Sequence, residues 1–304
     1  MKAARNQGLS SRRKGSKEDM LAMEHRKGSR PSGRSRGEAR EQVLIVIPAR
    51  YGSTRFAGKP LAVIGGLPMI VHVYRRASKI RNADMVIVAT DDYRIKAVVE
   101  DAGGTAIMTA ASHPTGTSRI AEAASKFPHG IVVNVQGDEP LLPVRSVEKL
   151  IDTMLSDKQL VMGTLASPAT SPEDLTRPDV VKVVCDREGN ALYFSRSPIP
   201  FPGSGAPATP ASGADAPPSK ARCNPNFLRH IGVYAFRRSF LFNFTRLKPG
   251  PLEKSESLEQ LRALENGYPI RVVTCRSASI GVDRPEDLRT VEKALRRPGA
   301  RKTR

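Results

Sequence analysis

The chain has 304 residues, 39% of them apolar, which is enough to bury the core of one large domain or of two small ones. Its 49 basic and 30 acidic residues leave a formal net charge of +19, which by itself favours a polyanionic partner. No apolar run approaches the roughly 18 residues of a membrane span, and the N-terminus lacks the apolar segment of a secretory signal, so we expect neither membrane insertion nor secretion.

The basic charge is concentrated at the two ends of the chain. Residues 1–42 contain twelve Lys or Arg against five Asp or Glu, and the last nine residues contain five basic residues and no acidic one. Residues 1–42 also lack aromatic residues and a sustained apolar period, so we expect a disordered basic extension there and a basic tail at 297–304. An organelle-targeting peptide and a misassigned start codon are the alternatives for the extension. Because the basic segments have no interleaved aromatic residues, nucleic acid is not the expected partner.

The three cysteines bear on the compartment in which the protein works. Cys185, Cys223 and Cys275 stand far apart and form no CxxC pair, so the sequence indicates neither a zinc site nor a disulfide framework. Reduced thiols of this kind are typical of a cytoplasmic protein, and we expect that location.

The first half of the chain alternates between predicted strands and helices. Residues 43–47 (VLIVI) have the length and β-branched content of a buried strand, which we expect to stop at Pro48 because proline cannot donate to a β-ladder. Further strands are predicted at 61–64, 85–90, 105–109 and 131–135, and helices at 68–79, at 93–102, from the end of the polar stretch 109–119 to about 127, and at 144–156. This alternation predicts a mostly parallel sheet covered on both faces.

Beyond residue 156 the pattern changes. Strands at 161–167, 180–185 and 190–194 follow one another without a sizeable helix, which indicates antiparallel pairing. Residues 201–223 are rich in Pro, Ala, Gly and Ser and predict a long flexible insertion. One domain spanning 43–296 is completed by a strand at 231–236, a helix at 254–266, a strand at 270–274 and a closing helix at 285–295.

The loop after the first strand carries converging cationic side chains. Arg50, Arg55 and Lys59 lie there with two glycines, at the carboxyl end of the strand, where open α/β sheets bind anions. The loop differs from a Walker A loop, because five residues separate its glycines and proline follows Lys59 where Ser or Thr would stand. We interpret it as a triphosphate-binding loop, with a basic surface turn as the alternative.

Two aspartates are candidate metal ligands. Asp138 follows the predicted strand 131–135, and Asp283 lies two residues before a proline that starts a helix. Mg²⁺ prefers oxygen ligands, usually one or two carboxylates with substrate phosphates, so a site shared by both residues would suit nucleotidyl transfer with displacement of pyrophosphate. The alternatives are a structural loop aspartate at 138 and a helix cap at 283.

Several short segments between residues 43 and 296 carry a family resemblance. They are IPARY (47–51), GKPL (58–61), ATD (89–91), NVQGDEP (134–140), ALYFSR (191–196), NFLRH (226–230), LEQLR (258–262) and GVD (281–283). In order and spacing they closely resemble the 3-deoxy-manno-octulosonate cytidylyltransferases, or CMP-Kdo synthetases. The resemblance implies a Rossmann-like nucleotide-diphospho-sugar transferase fold, α/β with a mostly parallel central sheet and an antiparallel part for sugar binding and dimerisation. It also implies a homodimer that uses Mg²⁺ to join CTP to the sugar acid Kdo, giving CMP-Kdo for lipopolysaccharide synthesis and releasing pyrophosphate.

The resemblance assigns residues to four groups. Those for the triphosphate are Arg50, Arg55 and Lys59, and those for magnesium are Asp138 and Asp283. The catalytic set is Arg50, Lys59, Asp138 and Asp283. The residues matching the cytosine-binding loop are Thr115, Gly116, Thr117 and Arg119. Those for the sugar acid are Gln136, Arg196, His230, Tyr234, Glu259 and Gln260.

Alternatives remain open for the weaker assignments and for the substrate. Residues 115–119 could be only a helix start, His230 and Tyr234 a half-buried polar pair, and Glu259 with Gln260 a solvated helix flank. The same chemistry on a related sugar acid, such as an amino variant of Kdo or sialic acid, is the alternative function. A basic nucleic-acid-binding protein is a remote alternative from another class.

Overall fold

The computed structural model describes residues 40–52, 56–169, 173–201, 228–275, 281–282 and 284–296. The chain divides into two compact units, residues 1–39 and 40–304, and every feature below belongs to the second. Two of the predicted site residues, Arg55 and Asp283, lie outside the described residues, as does nearly all of the predicted insertion.

The first half of the domain is built from alternating strands and helices, as predicted. Its elements are β1 (Val43–Ala49), β2 (Val63–Ile64), β3 (Leu67–Pro68), α1 (Met69–Ala77), β4 (Met85–Thr90), α2 (Tyr93–Asp101), β5 (Ala106–Met108), α3 (Gly116–Ser125), β6 (Ile131–Asn134) and α4 (Val144–Ser156). A short 3-10 helix, Lys59–Leu61, precedes β2.

The second half is richer in strands that follow one another. Its elements are β7 (Met162–Pro168), α5 (Glu173–Thr176), β8 (Lys182–Cys185), β9 (Ala191–Ser195), β10 (Leu228–Arg237), α6 (Arg238–Phe244), α7 (Pro251–Glu256), α8 (Leu261–Glu265), β11 (Arg271–Thr274) and α9 (Asp287–Arg296). Within the described ranges, no helix is both long and apolar enough to cross a bilayer.

Nine of the described strands form one sheet with the order β11-β7-β10-β6-β1-β4-β5, to which β8 and β9 are added beside β10, and β2 and β3 form a separate two-stranded sheet. β1 pairs in parallel with β4 and β6, and β4 with β5, whereas β10 runs antiparallel to β6 and β7. The predicted fold class is therefore confirmed. One detail differs from the antiparallel pattern predicted for the second half, because β11 pairs with β7 in parallel.

The strand order reverses at β1. From β1 the chain builds β4 and β5 on one side and then crosses back to place β6 on the other side. In open α/β sheets, ligands bind beyond the carboxyl ends of the strands at such a switch point. The loops after β1 and β6 are therefore the expected walls of a site.

Both faces of β1 are buried, which explains its continuous apolar sequence. Val43, Ile45 and Ile47 belong to one core cluster, and Leu44 and Val46 belong to the cluster on the opposite face. Successive strand residues point to opposite faces, so a strand covered on both sides needs an apolar residue at every position.

β1 continues through Pro48 to Ala49, two residues beyond its predicted end. The Val46 carbonyl accepts a bond from the Val135 amide on the β6 side, and alternate residues of a strand share that orientation. The missing N–H of Pro48 therefore faces the β6 side, where pairing with β1 has already ended at Asn134. Proline removes no ladder bond here.

The prediction of one continuous helix at 254–266 is wrong. Two short helices, α7 and α8, stand in its place, separated by Ser257 in the left-handed conformation (φ 53°). Leu258 is buried in the core just after this break. Glu259 and Gln260 consequently lie in the connection between the helices and not on a helix flank.

Candidate active site

Two loops meet at the edge of the sheet where the strand order reverses. One follows β1 and leads to Lys59, and the other follows β6 and carries Asp138. They touch at Gly137, where an added Cβ would stand 2.8 Å from the Pro48 carbonyl oxygen. A side chain at Gly137 would push the loops apart, so glycine is what allows Asp138 to lie against the end of β1.

Lys59 and Asp138 form the central ion pair of this edge. Lys59 Nζ donates to Asp138 Oδ2 at 2.5 Å and to the Val282 carbonyl oxygen at 2.9 Å. The Val282 amide donates in turn to the Asp138 carbonyl oxygen at 2.9 Å. These bonds tie segment 281–282 to both loops. The side chains of Lys59 and Asp138 stay 16% and 31% exposed, so the pair is accessible to a ligand.

The turn that leads to Lys59 is braced by an aromatic ring. The Gly58 amide donates to the Tyr51 carbonyl oxygen at 3.1 Å, and Gly58 has a φ of +69°, a conformation that glycine adopts without strain. The Arg94 guanidinium stacks over the Tyr51 ring, 3.6 Å from its centroid, and is held there by Asp92 at 2.6 Å. Sequence reasoning missed Arg94, which lies on a helix with no motif around it.

A cavity of about 290 Å³ lies in front of the ion pair. The predicted site residues that line it are Arg50, Lys59, Thr115, Gly116, Arg119, Gln136 and Asp138. Arg50 is exposed, and its guanidinium has no carboxylate partner in the part of the chain that the structure describes. The cavity therefore joins an available cation to a partly exposed ion pair, which suits a polyphosphate.

The third wall of the cavity is the start of α3, which begins at Gly116 and so earlier than predicted. Thr115 caps this helix: its hydroxyl accepts from the Ser118 amide at 3.1 Å, and the Ser118 hydroxyl accepts from the Thr115 amide. This reciprocal capping box explains why the polar stretch starts a helix. Gly116 packs against the Pro48 ring, where an added Cβ would be 3.5 Å from Cγ.

Arg119 lines the cavity but is already bonded within the protein. Its side chain is nearly fully buried and donates to Thr109 Oγ1 at 2.6 Å and to Asp91 Oδ2 at 2.8 Å. The pair joins α3 to the segment after β4. Arg119 therefore positions the start of the helix, and its predicted contact with cytosine stays a prediction.

His230 and Tyr234 lie together in β10, as their spacing predicts. Their ring centroids are 5.4 Å apart, and the His230 ring meets Phe194 edge-on at 5.1 Å. Burial lowers the pKa of His230 to about 3, so the imidazole is neutral at physiological pH. Burial also raises the pKa of the Tyr234 hydroxyl, which keeps it protonated.

Glu259 links the predicted sugar-acid group to the predicted cytosine group. Thr117 Oγ1 donates to Glu259 Oε2 at 2.5 Å, which connects α3 to the α7–α8 connection. Beside it, Gln260 is 4% exposed, and its Nε2 is buried without a hydrogen-bond partner among the described residues. A buried amide without an acceptor is costly. The predicted contact of Gln260 with the sugar acid stays a prediction.

The two remaining sugar-acid candidates differ in their surroundings. Gln136 lines the cavity and faces Gly232 on β10, where an added Cβ would be 3.5 Å from Gln136 Cγ. Arg196 instead uses its guanidinium within the protein, donating to the carbonyl oxygens of Glu256 at 2.8 Å and Pro178 at 3.0 Å. In this arrangement Arg196 joins the end of β9 to the segments that contain Pro178 and Glu256, and it is not in the lining of the cavity.

Magnesium, which the resemblance implies, fits the described residues in part. Asp138 offers a partly exposed carboxylate with one oxygen on Lys59. The structure groups no three or more His, Cys, Asp or Glu of the described ranges into a metal site. Mg²⁺ commonly binds through one or two carboxylates and takes its other ligands from substrate phosphates and water, so this donor set is compatible with it.

A buried lysine near these residues was missed by sequence reasoning. Lys182 is fully buried on β8, and its ammonium donates to the carbonyl oxygens of Arg177 at 3.0 Å and Val180 at 2.8 Å, and to that of Arg196. Burial lowers the pKa of Lys182. An isolated Lys in an apolar strand offers no sequence signal for this role, because its acceptors are backbone atoms brought in from other segments.

Comparisons with known proteins agree with this geometry. The family model described as Cytidylyltransferase matches residues 44–274. The 3-deoxy-manno-octulosonate cytidylyltransferase of Syntrophobacter fumaroxidans is 50% identical over 257 residues, which cover 84% of this chain and 97% of the relative. That of Syntrophotalea carbinolica is 49% identical over 254 residues, 84% of this chain and 98% of the relative.

A solved structure leads to the same family. It is that of CMP:2-keto-3-deoxy-manno-octonic acid synthetase complexed with CTP, which superposes with a TM-score of 0.75 at 42% identity. The alignment covers 84% of this chain and 98% of that protein. This chain therefore belongs to the cytidylyltransferase family and, within it, to the 3-deoxy-manno-octulosonate cytidylyltransferases.

Proposed function

We propose that this protein transfers CMP from CTP to the sugar acid Kdo, giving CMP-Kdo and pyrophosphate. The observation that carries the proposal is the Lys59–Asp138 pair, 2.5 Å between Nζ and Oδ2, at the switch point between β1 and β6. A cation and a carboxylate held side by side offer charge for the triphosphate and an oxygen ligand for a metal. The names of the relatives and the CTP in the similar structure support this choice of substrates.

Within this proposal, the chain's own residues hold and orient the two substrates. Arg50 and Lys59 neutralise phosphate charge that grows on pyrophosphate as it leaves. The start of α3, with Thr115 and Gly116, borders the pyrimidine. When bound at Asp138, with Asp283 as the proposed second ligand, Mg²⁺ supplies Lewis-acid stabilisation of the α-phosphate.

The sugar acid is the proposed ligand of the region around β10. Gln136, His230, Tyr234 and Glu259 provide polar atoms there, and the Glu259–Thr117 bond connects this region to the nucleotide side. An oxygen of the sugar acid attacks the α-phosphorus in line with the departing pyrophosphate. Holding both substrates in one orientation supplies much of the rate acceleration.

Turnover with purified protein tests the proposal. CTP and Kdo with Mg²⁺ should give one pyrophosphate for each CMP-Kdo, and reactions with an amino variant of Kdo, with sialic acid and with the other nucleoside triphosphates define selectivity. The variant Asp138→Asn should lose most of this turnover. Asp101→Asn, at an exposed position on α2, makes the same chemical change outside the site and is its matched control. If pyrophosphate were released from CTP with sialic acid but not with Kdo, sialic acid would be the substrate instead of Kdo. If no sugar acid gave pyrophosphate, the proposed function would be overturned.

We also propose a cytoplasmic homodimer with a role in lipopolysaccharide synthesis. The dimer is what the family resemblance implies, and an exposed apolar side chain such as Leu192 on β9 is a position at which a subunit contact can be probed by substitution. The mass in solution, measured by light scattering after gel filtration, tests the dimer. The thiol of Cys185, which forms no disulfide among the described residues, is compatible with a reducing compartment, which fractionation of the source cells tests directly.

A further inference from the structure

β10 contains an irregularity beside His230. In its pairing with β7, Ile231 stands opposite Leu165 and Tyr234 opposite Thr164, so two residues of β10 bulge out between them. Such a bulge leaves carbonyl groups without ladder partners. The Val233 carbonyl oxygen lies 2.8 Å from Thr164 Oγ1 and the Ile231 carbonyl oxygen 3.4 Å from it.

Thr164 Oγ1 also lies 3.0 Å from Nε2 of His230. Thr164 is fully buried, so neither its hydroxyl nor these acceptors can turn to water. A hydroxyl has one proton, and a carbonyl can only accept. If that proton went to His230, the 2.8 Å contact between the Thr164 hydroxyl and the Val233 oxygen would bring two lone pairs together, which is repulsive.

The arrangement that satisfies all three groups has a single proton assignment. The Thr164 hydroxyl donates to Val233, and Nε2–H of His230 donates to the hydroxyl. The His230 ring cannot turn to exchange its nitrogens freely, because it packs between Phe194 and Tyr234 with centroids at 5.1 and 5.4 Å. Burial lowers its pKa, so the other nitrogen carries no proton.

Nδ1 of His230 is then a hydrogen-bond acceptor. Within the described residues it has no hydrogen-bond partner, and it is not sealed from solvent. His230 lines a second cavity of about 870 Å³. Glu139, which follows Asp138 in the loop after β6, lines the same cavity. A lone pair that a ligand can reach, on a ring held in place by its neighbours, selects for a ligand that donates a hydrogen.

We propose that Thr164 is a positioning residue that holds His230 as the Nε2–H tautomer, so that Nδ1 accepts a hydrogen bond from a hydroxyl of the sugar acid. The tautomer follows from Thr164 and Val233 alone. The identity of the ligand rests on the proposed function. The inference adds a specificity rule: the sugar must present a donor to Nδ1, and a deoxy or O-methyl sugar at that position is a poor substrate.

Nitrogen-15 NMR of the imidazoles tests the tautomer without any turnover. Long-range proton–nitrogen correlation of ¹⁵N-histidine-labelled protein distinguishes the protonated from the bare ring nitrogen, and His230→Gln assigns the signals among the five histidines. His72 is an internal reference, because its Nε2 lies 2.7 Å from the Ile64 carbonyl oxygen and must carry the proton. The nitrogen signals of His230 should show the same tautomer as those of His72, with the proton on Nε2. A proton on Nδ1 of His230, or on both nitrogens, overturns the proposal.

Two variants of Thr164 separate positioning from simple packing. Thr164→Ser keeps the hydroxyl and should keep the wild-type tautomer and kinetics. Thr164→Val keeps the shape and removes the hydroxyl, so the His230 signals should shift toward a mixture of tautomers while those of His72 stay unchanged. The Michaelis constant for the sugar acid should rise roughly 5- to 10-fold, the effect of one neutral hydrogen bond, with that for CTP unchanged. Equal rises for both substrates, or an unchanged tautomer in Thr164→Val, contradict the positioning role.

Addition of Kdo to the labelled wild-type protein tests the ligand. The Nδ1 signal of His230 should move on binding while Nε2 of His72 does not, and 3-deoxy-octulosonates lacking single hydroxyls should identify the donor. A Kdo-saturated enzyme with an unmoved Nδ1 signal overturns the contact even if pyrophosphate is released. Failure of the proposed function would look different, as an absence of pyrophosphate release from the wild-type enzyme.

Discussion

Asp138 is the residue whose charge the proposed chemistry uses most directly. Asp138→Asn keeps the size of the side chain and its ability to accept from Lys59, but removes the negative charge. We expect turnover to fall by about 10²-fold or more, with little change in thermal stability, because a preorganised electrostatic contribution is lost. Asp283→Asn should behave in the same way. Steady-state kinetics at limiting Mg²⁺ measure both, and near-wild-type turnover of either variant removes that residue from the site.

Lys59 should affect CTP more than the sugar acid. Its ammonium lines the first cavity beside Asp138, and His230 is not in the lining of that cavity, so we expect Lys59→Met to act mainly on the nucleotide. We expect a loss of about 2 to 4 kcal/mol in transition-state stabilisation, seen in kcat/KM for CTP. Lys79→Met, at an exposed position just beyond α1, is the control. An unchanged specificity constant for CTP would rule out the triphosphate role.

His230 should make stability depend on pH in the acid range. Its pKa is about 3 in the folded protein against an ordinary value of 6.5, so the unfolded chain binds more protons between these values. The stabilisation is therefore complete above about pH 6.5 and is lost as the pH falls, by at most about 2 kcal/mol between pH 6.5 and pH 5. Urea unfolding should show this slope, and His230→Gln should flatten it. Part of this pH dependence of stability should persist in His230→Gln, because burial also lowers the pKa of His129.

At the scale of elements, the break between α7 and α8 sets the position of Glu259. Ser257 holds the left-handed conformation there, which costs a residue with a Cβ about 1 kcal/mol or more. Ser257→Gly should therefore raise the free energy of unfolding by up to about 1 kcal/mol, and Ser257→Val should lower it by about 1 to 2 kcal/mol. Chemical denaturation measures both changes. A Ser257→Gly variant less stable than wild type would show that the side chain itself is needed.

The elements that were predicted correctly are those whose signal is local. The bounds of β4 and α4 agree with the sequence prediction, because an apolar run of strand length and a strong helical period specify them without distant contacts. The break at Ser257 depends instead on the burial of Leu258 in the core. The bulge in β10 likewise depends on its partner strand, so neither could be read from the local pattern.

At the scale of the whole molecule, the domain begins before its first strand. Residues 40–42, assigned from sequence to the extension, make contacts with the domain: Arg40 pairs with Asp84 at 2.6 Å, Glu41 pairs with Arg237, and the Gln42 carbonyl accepts from the Ile131 amide at 3.1 Å. An aperiodic polar stretch gives no sign of such contacts, since their partners lie far away in the chain.

Two truncations should therefore behave differently. Removal of residues 1–39 should leave the thermal midpoint and turnover close to those of the full chain. Removal of residues 1–42 should lower the midpoint by roughly 2 to 8 °C, the effect of about 1 to 2 kcal/mol in a domain of this size. Differential scanning calorimetry of both proteins measures the difference. Equal midpoints would show that residues 40–42 do not stabilise the domain, and lost activity in the shorter truncation would give residues 1–39 a role.

The sequence by itself determined the fold class, the place of the cationic loop after the first strand and the position of Asp138 after a buried strand. Those features depend on runs of neighbouring residues, on apolar periodicity and on the rule that ligands bind beyond the carboxyl ends of parallel strands. Only the tertiary structure decided how the side chains are used: Arg119 bonds to Asp91, Arg196 to backbone carbonyls, and Thr164 to His230. Hydrogen bonds of this kind join residues that are distant in sequence, and their geometry exists only after the sheet and its loops have packed.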